Sequence, residues 1–152
     1  MSISRKPARA AKSRKTREDA KAGRTDRPAP ANDFEPWLRE TFADEGSFTS
    51  LVILVEIGET HVAPLASTFL NFIGDEITWP QVVSLFAGSG RKWDGVAFFP
   101  QLDGEGPLEN DDARTRLRSI EQRVREDRLV LNEGQFFDGW GRRLQIEEIS
   151  LS

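Results

Sequence analysis

The sequence predicts an α/β protein, with α+β as the alternative: a mixed sheet of about four strands with helices packed on it. Three observations lead there. The run Leu51-Val52-Ile53-Leu54-Val55-Glu56-Ile57 holds six aliphatic residues in seven positions. Such a run fits a strand buried on both faces, which needs helices above and below it. Helix signals and strand signals then alternate along the rest of the chain, the pattern of a layered α/β architecture. Finally, apart from Met1 and Ile3 the first 31 residues offer no sizeable apolar side chain. That segment has nothing to bury and is expected to be a disordered basic tail, leaving residues 32–152 as one acidic globular domain.

Each element has its own local reason. Asn32 and Glu35 stand at capping-box spacing, and Phe34, Trp37, Leu38 and Phe42 recur at helical intervals before Gly46. Residues 48–57 form the first strand, broken by Gly58-Glu59-Thr60. Pro64 suits the first turn of a second helix, with Leu65, Phe69 and Phe72 as its stripe and Gly74 just beyond its end. Thr78-Trp79-Pro80-Gln81 opens a third helix with a capping Thr three residues before Gln and a staple of Ile77 on Val82. Leu85 and Phe86 continue its face, and Gly88 closes it. Residues 93–100 read as the second strand, with Val96, Phe98 and Phe99 apolar and Pro100 ending it.

A Gly- and acid-rich loop over 101–109 leads to Asn110, which caps the longest helix, with Asp111 and Asp112 in its first turn. Ala113, Leu117, Ile120 and Val124 make one narrow apolar stripe on it. Leu129-Val130-Leu131 reads as a third strand. Asn132-Glu133-Gly134 and Asp138-Gly139 read as hairpin turns leading to a last strand over 140–147. The predicted order is α-β-α-α-β-α-β-β. Helices between the first three strands imply a partly parallel sheet, finished by an antiparallel meander.

Charge divides the chain. Of 152 residues, 1–31 hold ten Lys and Arg against three acids, a net +7. The remaining eleven basic and 22 acidic residues give −11, so the overall −4 describes neither part. Cysteine is absent, which removes disulfides, thiolate catalysis and Cys-bound zinc. No apolar run approaches the roughly 18 residues of a membrane span, and no secretory h-region is present. Arg, Ser and Ala enrichment at the N-terminus resembles a transit peptide, but the lack of apolar residues denies it an amphipathic face. A cytoplasmic location is the expectation, with no membrane partner.

Elimination narrows the chemistry. His61 is the only histidine, so a metal site with two His ligands cannot be built from one chain, and a Ser-His-Asp triad would have to use it. The nearest approach to a nucleophile elbow, Ala87-Gly88-Ser89-Gly90, lacks its first glycine and falls at a helix end. Gly88-Ser89-Gly90-Arg91-Lys92 is not a Walker loop. Its glycines follow a helix, whose C-terminus carries the wrong dipole for phosphate, although Arg91 and Lys92 can meet an anion through their side chains. Glu56, alone in the apolar strand, and Asp94 are the carboxylates best placed for catalysis, together with His61. The plain alternatives are a solvent-facing strand end and a solvated loop. No metal site and no cofactor are expected.

Two features point to binding. Trp140, Arg142 and Arg143 follow an Asp-Gly turn, so they form either a stacking and phosphate-contacting surface or a tight hairpin packed on the core. The tail cations Arg5, Lys6, Arg9, Lys12, Arg14, Lys15 and Arg17 offer a loose electrostatic grip on nucleic acid, or serve only for solubility. Six arginines on the long helix are interleaved with acids, as in a solvated, ion-paired face. The missing catalytic residue types favour a non-catalytic accessory or binding protein, whose acidic domain engages a protein partner while the tail adds reach. The alternatives are nucleic-acid binding through the tail and the Trp/Arg surface, and a carboxylate-based hydrolase.

Overall fold

The structure is a computed structural model and describes residues 2–5 and 32–147. Its elements are β1 (Ser2–Arg5), α1 (Phe34–Glu45), β2 (Phe48–Ile57), β3 (Val62–Phe72), α2 (Trp79–Ala87), β4 (Gly95–Gln101), α3 (Asn110–Glu126), a 3-10 helix (Arg128–Glu133), β5 (Gln135–Asp138) and β6 (Leu144–Glu147). Four strands make the central sheet in the order β3-β2-β4-β5. β1 and β6 form a separate antiparallel pair.

The aliphatic run lies at the centre of the molecule. Every residue of β2 from 48 to 55 is buried, while Glu56 at its end is exposed. Alternation of side chains along the strands sends the two sets to opposite faces. Val52, Leu54, Val96, Phe98 and Phe137 meet α1 and α2 on one face. Leu51, Ile53, Val55, Ala97 and Phe136 meet α3, the 3-10 helix and β6 on the other. The first face is an aromatic cluster around Phe34, whose ring centroid lies 5.3 Å from those of Trp79 and Phe98 and 5.8 Å from those of Trp37 and Phe137. These are tilted and edge-on contacts of the kind aromatic quadrupoles favour.

Among the described residues, two of the three α-helix starts carry the side-chain bonds the sequence signals. Asn32 Oδ1 accepts from Glu35 N at 2.8 Å, and Thr78 with Gln81 completes a reciprocal capping box. Asn110, expected to cap the longest helix, is instead its first residue, after an N-cap Glu109 that makes no side-chain cap bond. On α3, Ala113, Ile120 and Val124 are buried, as their spacing predicts. Its charged face carries ion pairs from Arg114 to Asp111, Arg116 to Asp103 and Arg123 to Glu133.

Several expectations are corrected. Residues 64–73 are not a helix: 64–72 belong to β3, which pairs with β2 along its length, and Ile73 follows the strand. Pro64 sits beside the register shift between Leu54 and Val55, and β3 is an edge strand, where proline removes no inner ladder bond. Because β3 is partly covered on both faces, its apolar residues do not alternate, and the Leu65, Phe69, Phe72 spacing mimics a helix. Leu129-Val130-Leu131 is not a strand. Asp127 Oδ1 accepts from Leu129 N at 2.9 Å and starts the 3-10 turn, which buries Val130 and Leu131 against the sheet.

The third correction concerns strand direction: every neighbouring pair is antiparallel. β2 and β3 form a hairpin closed by residues 58–61, and the α2 connection then carries the chain across β2 to its other side. β3 and β4 therefore run parallel to each other but are separated by β2.

The C-terminal strand also departs from a meander. Phe137 and Arg143 form a single bridge, after which β6 turns away and pairs with β1 in the register Arg5 to Leu144. On its other side, Asn132 stands in for a strand: its amide donates to Ile146 O at 2.7 Å and its Oδ1 accepts from Ile146 N at 2.8 Å. Within the segment expected to be a tail, Ser2–Arg5 is thus β1, a backbone pairing that side-chain composition does not signal. Lys6, Arg9, Lys12, Arg14, Lys15 and Arg17 lie outside the described residues. Among the described residues, no helix is long and apolar enough to cross a membrane.

Candidate binding surface at one end of the sheet

The register brings three loops to the same end of the sheet. Val55 pairs with Gly95, and Gly95 with Asp138. Residues 58–61, 88–94 and 139–143 therefore emerge together, carrying every site position expected within residues 32–152 except Glu56.

The loop over 139–143 is fixed from several sides. Asp138 is buried, and its Oδ1 accepts from Trp140 N at 2.8 Å and Arg142 N at 3.0 Å. Its own N–H donates to Arg142 O at 2.8 Å. Gly139 O accepts from Trp79 Nε1 at 3.0 Å. Buried Asp33 grips the far side, donating from N to Gly141 O at 2.8 Å and accepting from Arg143 N through Oδ2 at 2.9 Å. Gly141 has φ of 80°, and a Cβ there would sit 2.8 Å from both Trp79 Cδ2 and Asn32 Cβ, so only glycine fits.

On this braced loop Trp140 is 71 % exposed, the most exposed large apolar side chain among the described residues. Arg142 beside it is exposed. Arg143 is turned the other way. Its guanidinium lies over the Phe137 ring, 5.4 Å from the centroid, and donates to Gln135 Oε1. The expected trio is therefore split: Trp140 and Arg142 face outward, and Arg143 holds the hairpin.

Arg91 and Lys92 are both exposed in the neighbouring loop, where Gly90 takes the left-handed turn at φ 77°. Trp93 anchors this loop edge-on against Trp79 and Phe86, at 6.3 and 6.1 Å. Trp79 thus holds both cationic loops, one by ring contact and one by its indole N–H.

The carboxylates and histidine take other roles. Asp94 closes the corner of the sheet: its N–H donates to Val55 O and its Oδ2 accepts from Ile57 N, each at 2.9 Å. His61 is exposed, with its backbone carbonyl accepting from Gly58 N at 2.8 Å and its ring lying against Gly58. Glu56 is exposed opposite Ala63. Among the described residues, no group of three or more His, Cys, Asp or Glu side chains is placed to hold a metal ion.

The braces themselves were not legible as site residues. Asp33 and Trp79 carry no motif, and Asp138 reads only as the start of a turn. Glu35 is a partial exception. Its capping-box position marks it, and the same carboxylate also accepts from Trp79 N at 2.8 Å, tying the start of α1 to that of α2.

Away from this end, a groove of about 210 Å³ runs between β3 and α3, lined by Pro64, Leu65, Ser67, Glu121, Val124 and Arg125. Ser67 donates to Glu121 across it. In comparisons with known proteins, no family model, no curated protein and no solved structure matches the chain.

Proposed function

We propose that this is a small, non-catalytic, cytoplasmic binding protein, and that the end of the sheet carrying Trp140 is its contact surface for single-stranded nucleic acid. The observation that carries the proposal is an indole 71 % exposed on a loop fixed by Asp138, Asp33 and Trp79. Exposing a large ring is unfavourable in water, and a rigid mount loses little further entropy when the ring is covered. A base stacks on such a ring regardless of sequence, while Arg142, Arg91 and Lys92 are placed to meet the backbone phosphates. The N-terminal 31 residues, with net +7, add cationic reach to a body whose own charge is −11. Acidity elsewhere on the body would confine a polyanion to this end.

The test is anisotropy of a labelled oligonucleotide titrated with the full chain at several salt concentrations. Affinity should fall linearly with log salt, at about 0.7 per phosphate neutralised. Trp140→Ala should weaken binding about tenfold, within the range of about 1–3 kcal/mol for one stacked base. Arg142→Ala should lower the salt slope by about 0.7, one phosphate contact. Absent or salt-insensitive binding at low ionic strength would rule the nucleic acid out.

The acidity of the body favours a second reading, in which the partner is a basic protein anchored on Trp140. Capture of a partner that Trp140→Ala abolishes, with no oligonucleotide binding, is the outcome that would establish it.

A further inference from the structure

The long edge of the central sheet carries an inference independent of the binding surface. β3 has a strand on one side only, and from Val62 to Gly74 the sequence has no charged residue, in a chain of which 30 % is charged. Exposed edges usually carry charges or short strands that block further pairing. β3 has neither, being 11 residues long.

Its two ends are blunted. Arg128 Nε donates to Val62 O at 2.6 Å, Pro64 has no N–H to offer, and Ser47 Oγ donates to Ile73 O beyond the other end. What remains is the stretch 66–72. The other strand edges among the described residues are short: β1, with a partner on one side only, is four residues long, β6 lies between β1 and the Asn132 side chain, and Phe137 of four-residue β5 bridges to Arg143.

We infer that β3 pairs antiparallel with β3 of a second copy of this chain about a twofold axis through Thr68, joining two sheets into one of eight strands. The register follows from side-chain size. With Thr68 opposite itself, Ser67 falls beside Phe69 of the second copy on the α3 face, and Ala66 beside Leu70 of the second copy on the other. Each small residue then meets a large one, and the twofold repeats both pairs, as a self-complementary interface requires. Ser67 and Leu65 line the groove against α3, which leaves room for the incoming Phe69 ring. Phe69 and Leu70 are each only partly buried in the single chain and would gain cover.

Charge limits where a second copy can sit. Two bodies of net −11 repel over most of their surface, and this uncharged edge is where they can approach. In the pair, each α3 lies on the same face of the joined sheet, flanking the new strand pairing.

Sedimentation or light scattering of the full chain should give twice the 17.1 kDa chain mass. Thr68 is exposed and opposite its own copy, so Thr68→Lys and Thr68→Asp should each be monomeric at concentrations where the parent is dimeric. An equimolar mixture of the two should re-form a dimer by native mass spectrometry, because the opposed side chains now attract. In the parent, amide exchange over 66–72 should become faster on dilution. That measurement decides the matter without a variant, should either variant misfold. A monomeric parent, a dimer that persists in both variants, or dilution-independent exchange over 66–72 would overturn the inference.

Discussion

The indole Nε1–H of Trp79 donates to the carbonyl oxygen of Gly139 at 3.0 Å, across 60 residues of chain, and ties the start of α2 to the turn that presents Trp140. Trp79 itself is only 5 % exposed. Its ring packs on Phe34, Phe137 and Trp93, so the hydrogen bond is a rigid extension of the core. Trp79→Phe keeps most of the ring and removes the donor. Because Gly139 is exposed, water can replace the lost bond, and the expected cost is about 0.5–1.5 kcal/mol. Chemical denaturation should register that loss. Amide exchange should become faster at residues 139–143 in particular, and oligonucleotide affinity should fall although Trp140 is untouched.

Asp138 organises the same turn from within. Its carboxylate oxygen receives two backbone N–H groups in a buried setting, so removing it leaves both without their acceptor. Asp138→Ala is expected to cost about 1.5–3 kcal/mol, the scale of hydrogen bonds to a charged group. Asp138→Asn retains an acceptor at the same place and should cost clearly less. Equal losses in the two variants, measured by urea unfolding, would mean that the carboxylate does not organise the turn.

Exposed Asp103 faces Arg116 of α3 through a two-pronged contact, with Nη1 and Nη2 donating at 2.8 and 3.0 Å. The hydrogen bond from Arg116, helped by one from the backbone of Asp103 itself, holds the Asp103 carboxyl below the ordinary 3.8. A carboxyl whose folded value is lowered stabilises the protein above its unfolded value. That contribution disappears as pH falls from about 3.8 through the folded value. Arg116→Gln should move the Asp103 titration upward in carboxyl NMR and flatten the acid limb of stability in this window. Added salt should shrink the difference, since both groups are solvated.

What the sequence discloses follows from how each feature is encoded. The burial of residues 51–55 is written in a run of adjacent apolar side chains, and the Thr78/Gln81 cap in a four-residue spacing, so both are readable locally. β3 is not. Pro64, Leu65, Phe69, Phe72 and Gly74 satisfy a helical pattern, and only the pairing of β3 with β2 decides against it, a tertiary contact outweighing local preference. The site divides the same way. Trp140 and Arg142 stand out as a Trp between glycines followed by cations, whereas Asp33 meets Arg143 across 110 residues of sequence. No local pattern marks that pairing. Arg143 looks identical to Arg142 in sequence, and it is the bridge to Phe137 that turns it onto the hairpin.

Gly134 shows how closely β5 must approach β4. Its φ of −99° is open to any residue, so backbone conformation does not require glycine there. Space does: a Cβ would lie 2.5 Å from Phe98 O and 2.9 Å from Phe99 Cδ2. The carbonyl belongs to a paired central strand and cannot yield without disturbing the contact between Phe98 and Gln135. Gly134→Ala is therefore expected to cost about 1–3 kcal/mol, as overpacking does, and to loosen the start of β5. Gly139, on the same hairpin, has nothing within 4 Å of its would-be Cβ and no left-handed φ, so Gly139→Ala should stay within about 0.5 kcal/mol of the parent. Thermal melts of the two variants side by side test the contrast. If Gly134→Ala melts with the parent, β5 does not sit as close to Phe98 as the geometry requires.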